Sequence, residues 1–238
     1  MTTGFWQRDP LRSLAGQATQ VELKVVVPER DDRSLGIAKK PGQARRIYFL
    51  DTPGLDLYRH GVIVRFRDRR DRRDDAVVKL RPVFAGRVPA WLRNTGRFQV
   101  EIDALPGQAH CSGALKQRLG RHSVARAITA GRPLTDLLSA KQRKLLNQYA
   151  PAHVGPGDLT LFGPIHVRCH NIQLRGLRRG LTAEQWRYPD GTDLLELSTR
   201  CPVGEAAKVA ARVTTALRAY GVVPVSEQRT KTELALQP

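Results

Sequence analysis

YFLDTPGLDLYRHGVIVRFRDRRDRRDDAVVKLR, residues 48–81, contains two runs of alternating character separated by a block of Arg and Asp. In the first, Val62 to Arg67, side chains of a strand point alternately to opposite faces, so Ile63, Arg65 and Arg67 share one face and Val62, Val64 and Phe66 the other. The second run puts Val77, Lys79 and Arg81 on one side and Val78 and Leu80 on the other. Together they predict a hairpin with one apolar and one basic face. A solvated face usually mixes Thr, Ser, Glu and Lys, and four cations converging on one face point instead to a bound anion. The Arg67–Asp75 block between the runs reads as a solvated turn, and its interleaved aspartates would repel the phosphates of a nucleic acid.

The same alternation recurs outside the hairpin. Gln20 to Val25 places Gln20, Glu22 and Lys24 on one face, and Phe98 to Asp103 places Gln99, Glu101 and Asp103 opposite Phe98, Val100 and Ile102. From Ile165 to Leu174, His166, Arg168 and His170 alternate with Val167 and Cys169. QWRYPDG gives a further strand and turn, and in LLELS Glu196 and Ser198 alternate with Leu195 and Leu197. The tail SEQRTKTELAL reads as alternating again, with Lys231 facing away from Thr230 and Thr232. Helical spacing is expected through most of residues 106–164, where Leu134, Leu137, Leu138, Lys141, Leu145 and Tyr149 recur, and over Gly204–Tyr220. Residues 32–39 are a candidate short helix inside an otherwise aperiodic segment, and residues 1–19 read as a loosely held arm. Without repeats or a low-complexity linker, residues 20–238 are expected to form one domain.

Forty Lys and Arg against 22 Asp and Glu leave a formal charge of +18, a field that attracts phosphates, nucleic acids and anionic membranes alike. Three cysteines, Cys111, Cys169 and Cys201, lie far apart in no CxxC pair, which fits a reducing cytosol and argues against a disulfide framework. His166, Cys169 and His170 with distant Cys201 match no standard zinc spacing. The chain shows neither an apolar leader core nor an 18-residue apolar run, so a cytoplasmic protein without membrane association is expected. Phosphate-loop, dinucleotide, zinc-protease, serine-hydrolase and EF-hand motifs do not occur.

If helices cover the apolar strand faces, the polar faces turn toward the axis of a closed or cupped antiparallel sheet, an α+β tunnel with helices outside. Glu22, Glu101, Asp103 and Glu196 then share the interior with Lys24, Arg65, Arg67, Lys79, Arg81, Arg168 and Lys231, four acids against seven bases. Unpaired buried charge is too costly to persist, so such an interior must be wet and occupied, by polyanions against the bases and cations against the carboxylates, as a phosphate chain with a divalent metal would be.

At this point the sequence resembles the CYTH domains, or triphosphate tunnel metalloenzymes, a family that includes thiamine triphosphatase, inorganic triphosphatases and class IV adenylyl cyclase. QVELK matches that family's ExExK motif at Glu22 and Lys24, with Gln20 in place of the first Glu. YFLDTPGLDLYRHGVIVRFR resembles its tyrosine and DT turn followed by paired arginines, Arg65 and Arg67. By this resemblance Lys24, Arg65, Arg67 and Lys79 are catalytic, and these four with Arg81, Arg168 and Lys231 hold the substrate's phosphates. It also implies Mg²⁺ or Mn²⁺ on Glu22, Glu101 and Glu196, although Gln20 and Ser198 replace two further carboxylates, and hard cations weaken with each anionic ligand lost. The function implied is hydrolysis of a triphosphate-containing small molecule, inorganic tripolyphosphate or a nucleoside or thiamine triphosphate. A catalytically weak polyphosphate or nucleotide binder and a general nucleic-acid binder are the alternatives. Adenylyl cyclisation ranks below hydrolysis, because no nucleoside pocket is legible.

Overall fold

Nine strands close into a barrel: β1 (Gln20–Val27), β2 (Gln43–Asp51), β3 (Val62–Arg69), β4 (Asp75–Leu80), β5 (Phe98–Leu105), β6 (Gln108–Arg118), β7 (Thr160–Ile172), β8 (Leu181–Arg187) and β9 (Asp193–Pro202). They run around it in the order β1-β5-β6-β4-β3-β2-β7-β8-β9, and β9 returns to β1. Neighbours are antiparallel except β1 and β5, which pair in parallel with Gln20 opposite Glu101 and Leu23 opposite Ala104. This computed structural model describes residues 4–6, 13–14, 16–37, 39 and 41–236.

The alternation in residues 62–81 sorts the hairpin as expected. Val62, Val64, Phe66, Val78 and Leu80 are buried in the large apolar cluster outside the barrel, while Ile63, Arg65, Arg67, Val77, Lys79 and Arg81 line its interior. Outside lie helices α1 (Asp56–Arg59), α2 (Ala90–Arg93), α3 (Ser123–Thr129), α4 (Ala140–Tyr149) and α5 (Ala206–Ala219), while α6 (Lys231–Leu236) brings Lys231 and Thr232 to the barrel interior. In α5, Ala206, Ala210, Val213, Ala216 and Leu217 form the buried stripe, which packs on β1 and β9. The DT turn is built on Asp51, whose carboxylate accepts hydrogen bonds from the backbone N–H groups of Thr52, Leu57 and Tyr58 and so fixes the first turn of α1 to the end of β2.

Four local expectations change. Residues 108–118, expected to be helical, form β6. Gly107, at φ 83°, turns the chain tightly out of β5, and Gly113 leaves room for the Phe98 ring where a Cβ would stand 2.2 Å from Cζ. The α-helices of this middle third are confined to residues 123–149, followed by one 3₁₀ turn at Pro156–Asp158. Residues 29–32 make one 3₁₀ turn directly after Pro28, in place of a helix over 32–39. The tail, expected to alternate, is helix α6, started by a reciprocal cap. Thr230 Oγ1 accepts from the Glu233 N–H at 3.1 Å, and the Glu233 carboxylate accepts from the Thr230 N–H at 3.3 Å.

Strand β2 was hidden in the aperiodic segment. Part of the N-terminal arm lies outside the described residues, but Trp6 is buried and donates its Nε1–H to the carbonyls of Lys24 and Ala104, both at 3.0 Å. The Arg67–Asp75 block is solvated only at its tip. Asp74 is fully buried and accepts from the N–H groups of Arg69 and Val124, which ties the hairpin to the start of α3.

Helix α4 is joined to the barrel by Gln142, which is fully buried and donates to the carbonyls of Ala76 at 3.0 Å and Leu115 at 2.9 Å. Replacing Gln142 by Leu strands both acceptors, at a cost of about 1–3 kcal/mol. The expected result is a melting temperature lower by about 2–12 °C for a chain of this size. An unchanged thermal melt would show that the two bonds contribute nothing.

Candidate functional site

The barrel interior is a cavity of about 820 Å³, lined by ten basic side chains and four carboxylates. The bases come from alternate positions on adjacent strands, Lys24 on β1, Arg45 on β2, Arg65, Arg67 and Arg69 on β3, Lys79 on β4 and Lys116 on β6. Arg81 follows β4, Arg200 lies near the end of β9, and Lys231 begins α6. Ile47, Ile63, Leu105, Val167 and Trp186 add an apolar wall belonging to a second buried cluster that also includes Leu236 of α6.

Most of these charges are tied into four groups. Fully buried Asp103 accepts from Lys24 at 2.6 Å, Lys79 at 2.7 Å, Arg81 at 2.9 Å and the Ser112 hydroxyl at 2.6 Å. Glu22 pairs with Lys24 at 2.9 Å and with Arg200 at 2.9 Å, and Arg200 reaches Glu101 at 3.1 Å. Lys231 lies between Glu184 at 2.5 Å and Glu196 at 2.7 Å, over the face of Trp186. Asp75 receives Arg67 Nε at 2.7 Å and also pairs with Arg69.

Arg65 stands apart. It forms no ion pair among the described residues, and its Nε is sealed from solvent without a hydrogen-bond partner. Burial, with Arg67 beside it, lowers the Arg65 guanidinium to about 10. Burial likewise pushes the Lys79 ammonium down to about 7, against the pull of Asp103, and Lys116 falls to about 8 by burial and the nearby Arg67. Burial alone would raise the Glu22 carboxyl, but Lys24, Arg200 and Lys231 outweigh it and bring it down to about 2.

Of the residues singled out by sequence, Glu22, Lys24, Arg65, Arg67, Lys79, Arg81, Glu101, Glu196 and Lys231 all reach the cavity. Arg168 does not. The register of β7 turns Val167 and Cys169 inward and leaves Arg168 exposed on the outer face, so it is corrected to a position outside the tunnel. The three proposed metal carboxylates also do not gather as a set. Glu22 and Glu101 come together with Asp103, their ligand atoms within 4.8 Å of one another, while Glu196 is committed to Lys231. Measured against a hard divalent ion, the Glu22, Glu101 and Asp103 set fits poorly, because Lys24 and Arg200 already occupy its oxygens. The histidines and cysteines form no metal-ligating group among the described residues.

Sequence reading missed Arg45, Arg69, Lys116, Glu184 and Arg200. Extending the alternation would have found two of them, since Arg69 follows Arg65 and Arg67, and Arg200 follows Glu196 and Ser198, in steps of two.

Asp103 holds its three cations by being ionised. Burial opposes its charge, but Lys24, Lys79 and Arg81 hold its carboxyl well below the usual range, so its stabilisation is present above about pH 4 and is lost as pH falls beneath that. Asp103→Ala is expected to destabilise the fold by about 3–5 kcal/mol at pH 6, because Lys79 and Arg81 are left without their counter-charge and Lys24 keeps only Glu22. The loss should shrink above pH 7 as Lys79 discharges. Urea melts of both proteins across this range would measure it, and a pH-independent difference would contradict the assignment.

No family model and no curated protein matches the sequence. The fold, in contrast, is shared with solved structures. A candidate adenylate cyclase from Bacillus halodurans superposes with a TM-score of 0.58 at 13% identity, over 91% of this chain and 97% of that one. A candidate adenylyl cyclase from Hippeastrum, described as having a dominant triphosphatase activity, superposes with a TM-score of 0.61 at 15% identity, over 90% of this chain and 94% of that one. At such identities the likeness establishes architecture, and the chain has the closed tunnel fold of these proteins.

Proposed function

We propose that the tunnel holds the phosphate chain of a triphosphate-bearing small molecule, inorganic tripolyphosphate or the triphosphate of a nucleotide or of thiamine. The observation that carries this reading is Arg65, a guanidinium inside the barrel that has no carboxylate partner among the described residues and an unused Nε donor. A desolvated cation without a counter-charge is costly, and a phosphate oxygen supplies both the charge and the acceptors that the planar fork needs. Arg45, Arg67, Arg69 and Lys116 surround the same lumen and outnumber the carboxylates near them. A closed interior of about 820 Å³ is in the range of small-molecule sites and excludes a nucleic-acid duplex.

Titration calorimetry with tripolyphosphate tests this directly. Arg65→Gln is expected to weaken binding by roughly ten- to hundredfold, the usual worth of a charge-assisted hydrogen bond. Equal affinity in the two proteins would end the reading. Because Lys79 and Lys116 must be protonated to act as cations, affinity should be highest below pH 7 and fall as pH rises through 7 to 9. Binding near pH 7.5 should be accompanied by proton uptake.

Hydrolysis of the bound phosphoanhydride is a second reading, favoured by Glu22 and Glu101 lining the same cavity, where the lone pairs left over from their ion pairs with Lys24 and Arg200 can orient a water against a held chain. The activity described for the Hippeastrum protein is of this kind. Orthophosphate release from a panel of triphosphates, measured with and without Mg²⁺ or Mn²⁺, separates the two readings. Release that is lost in Glu22→Gln while tripolyphosphate still binds would make the protein a hydrolase.

A further inference from the structure

The family that the sequence resembles implies a divalent ion beside the triphosphate, and the arrangement of charges inside this barrel disagrees with it. Glu22, Glu101 and Asp103 are the one group of three carboxylates, among the described residues, whose oxygens lie close enough to surround a single ion. Two cations of the chain itself already sit there. Lys24 spans Glu22 and Asp103, and Arg200 spans Glu22 Oε1 and Glu101 Oε2. Arg200 does not reach them by chance, since the β1–β9 register places it directly opposite Glu22, and β1 lies beside β5, which carries Glu101. Gln20 and Ser198, also lining the cavity, are neutral and add no charge for a metal to use. Lys231 fills the space between Glu184 on β8 and Glu196 on the neighbouring strand β9 in the same manner.

We propose that Arg200 takes the place of a divalent ion at the Glu22 and Glu101 carboxylates, so that the tunnel loads a phosphate chain with its own cations and without metal. A planar guanidinium can bridge two carboxylates with separate donors, whereas a hard ion would have to displace both Arg200 and Lys24 to gain a third anionic ligand. Arg200 is the member that can be removed cleanly, because its side chain is 59% exposed while that of Lys24 is 7% exposed. The loading half of this inference rests on the phosphate reading above; the metal half does not.

The metal half is tested on the whole, ligand-free protein by the electron paramagnetic resonance signal of free Mn²⁺. The native chain is expected to leave the signal intact, Arg200→Ala to bind Mn²⁺ at least tenfold more tightly, and Arg200→Lys, which keeps the charge, to behave like the native chain. Thermal melts of each variant establish that it is folded. Native protein binding Mn²⁺ as tightly as Arg200→Ala, or a folded Arg200→Ala that gains nothing, overturns the proposal. The loading half is tested by adding tripolyphosphate in EDTA at about 100 times its dissociation constant, where a rise in melting temperature of about 5–10 °C is expected. A rise seen only with added Mg²⁺ or Mn²⁺ overturns metal-free loading. No rise under either condition overturns the phosphate reading itself and the loading half with it, while the Mn²⁺ result still decides the role of Arg200.

Discussion

The carboxylate of Asp103 is the counter-charge on which the interior of this barrel depends. A sheet whose inner face carries lysines and arginines on successive strands can close only if part of that charge is neutralised where water cannot reach it. Asp103 does this for Lys24, Lys79 and Arg81 at once, from two different segments, and takes a fourth bond from Ser112. It fixes β1, β4 and β5 relative to one another through side chains as well as through the ladder. The cations left over, Arg65 above all, then face a lumen whose electrostatics favour an anion.

Asp75 does the same work at the other side of the hairpin, with Arg67 and Arg69, and Glu184 with Glu196 does it for Lys231. The carboxylates lining the cavity remain fewer than its bases, so its net field stays positive. The pairs near Glu22 and Glu101 differ in exposure, from Lys24, almost sealed, to Arg200, largely open to solvent. An exposed pair is worth little to stability, which makes Arg200 a position where charge can change without loss of the fold.

What was legible in the sequence was whatever obeyed a period of two without interruption. The 62–81 hairpin, the short strand at Gln20 and the one at Phe98 show their faces in the residues themselves, and from those the closed sheet and most of its inward charges follow. Strand β2 was not legible, because Gln43 to Arg46 is polar on both faces before the pattern begins at Ile47. Strand β6 was not, because Gly113 and its small neighbours blur the alternation that places Lys116 inside. Arg168 misled for the opposite reason: β7 does alternate, but its buried face carries Val167 and Cys169, and its basic and histidine face looks outward at Arg168 and His166. In the tail, a Thr-x-x-Glu cap outweighed a pattern that fitted a strand equally well. A period reports that two faces differ; which one turns inward is set by the strands on either side.

The parallel pairing of β1 with β5 has a consequence for the order in which this protein can be assembled. The first strand of the barrel has no neighbour near it in the chain: its two edges are met by β5 and by β9, with Gln20 opposite Glu101 on one side and Pro202 on the other. Every other strand in the barrel has a partner besides β1, β5 in β6 and β9 in β8. During synthesis β1 therefore emerges first and stays half-paired longest, and the cylinder is sealed only when the ninth strand has left the ribosome. Contacts this remote in sequence make for slow closure, since the chain must give up the freedom of a long loop before the last ladder forms. Trp6, whose indole bonds to the carbonyls of Lys24 and Ala104, fastens the seam between the two parallel strands.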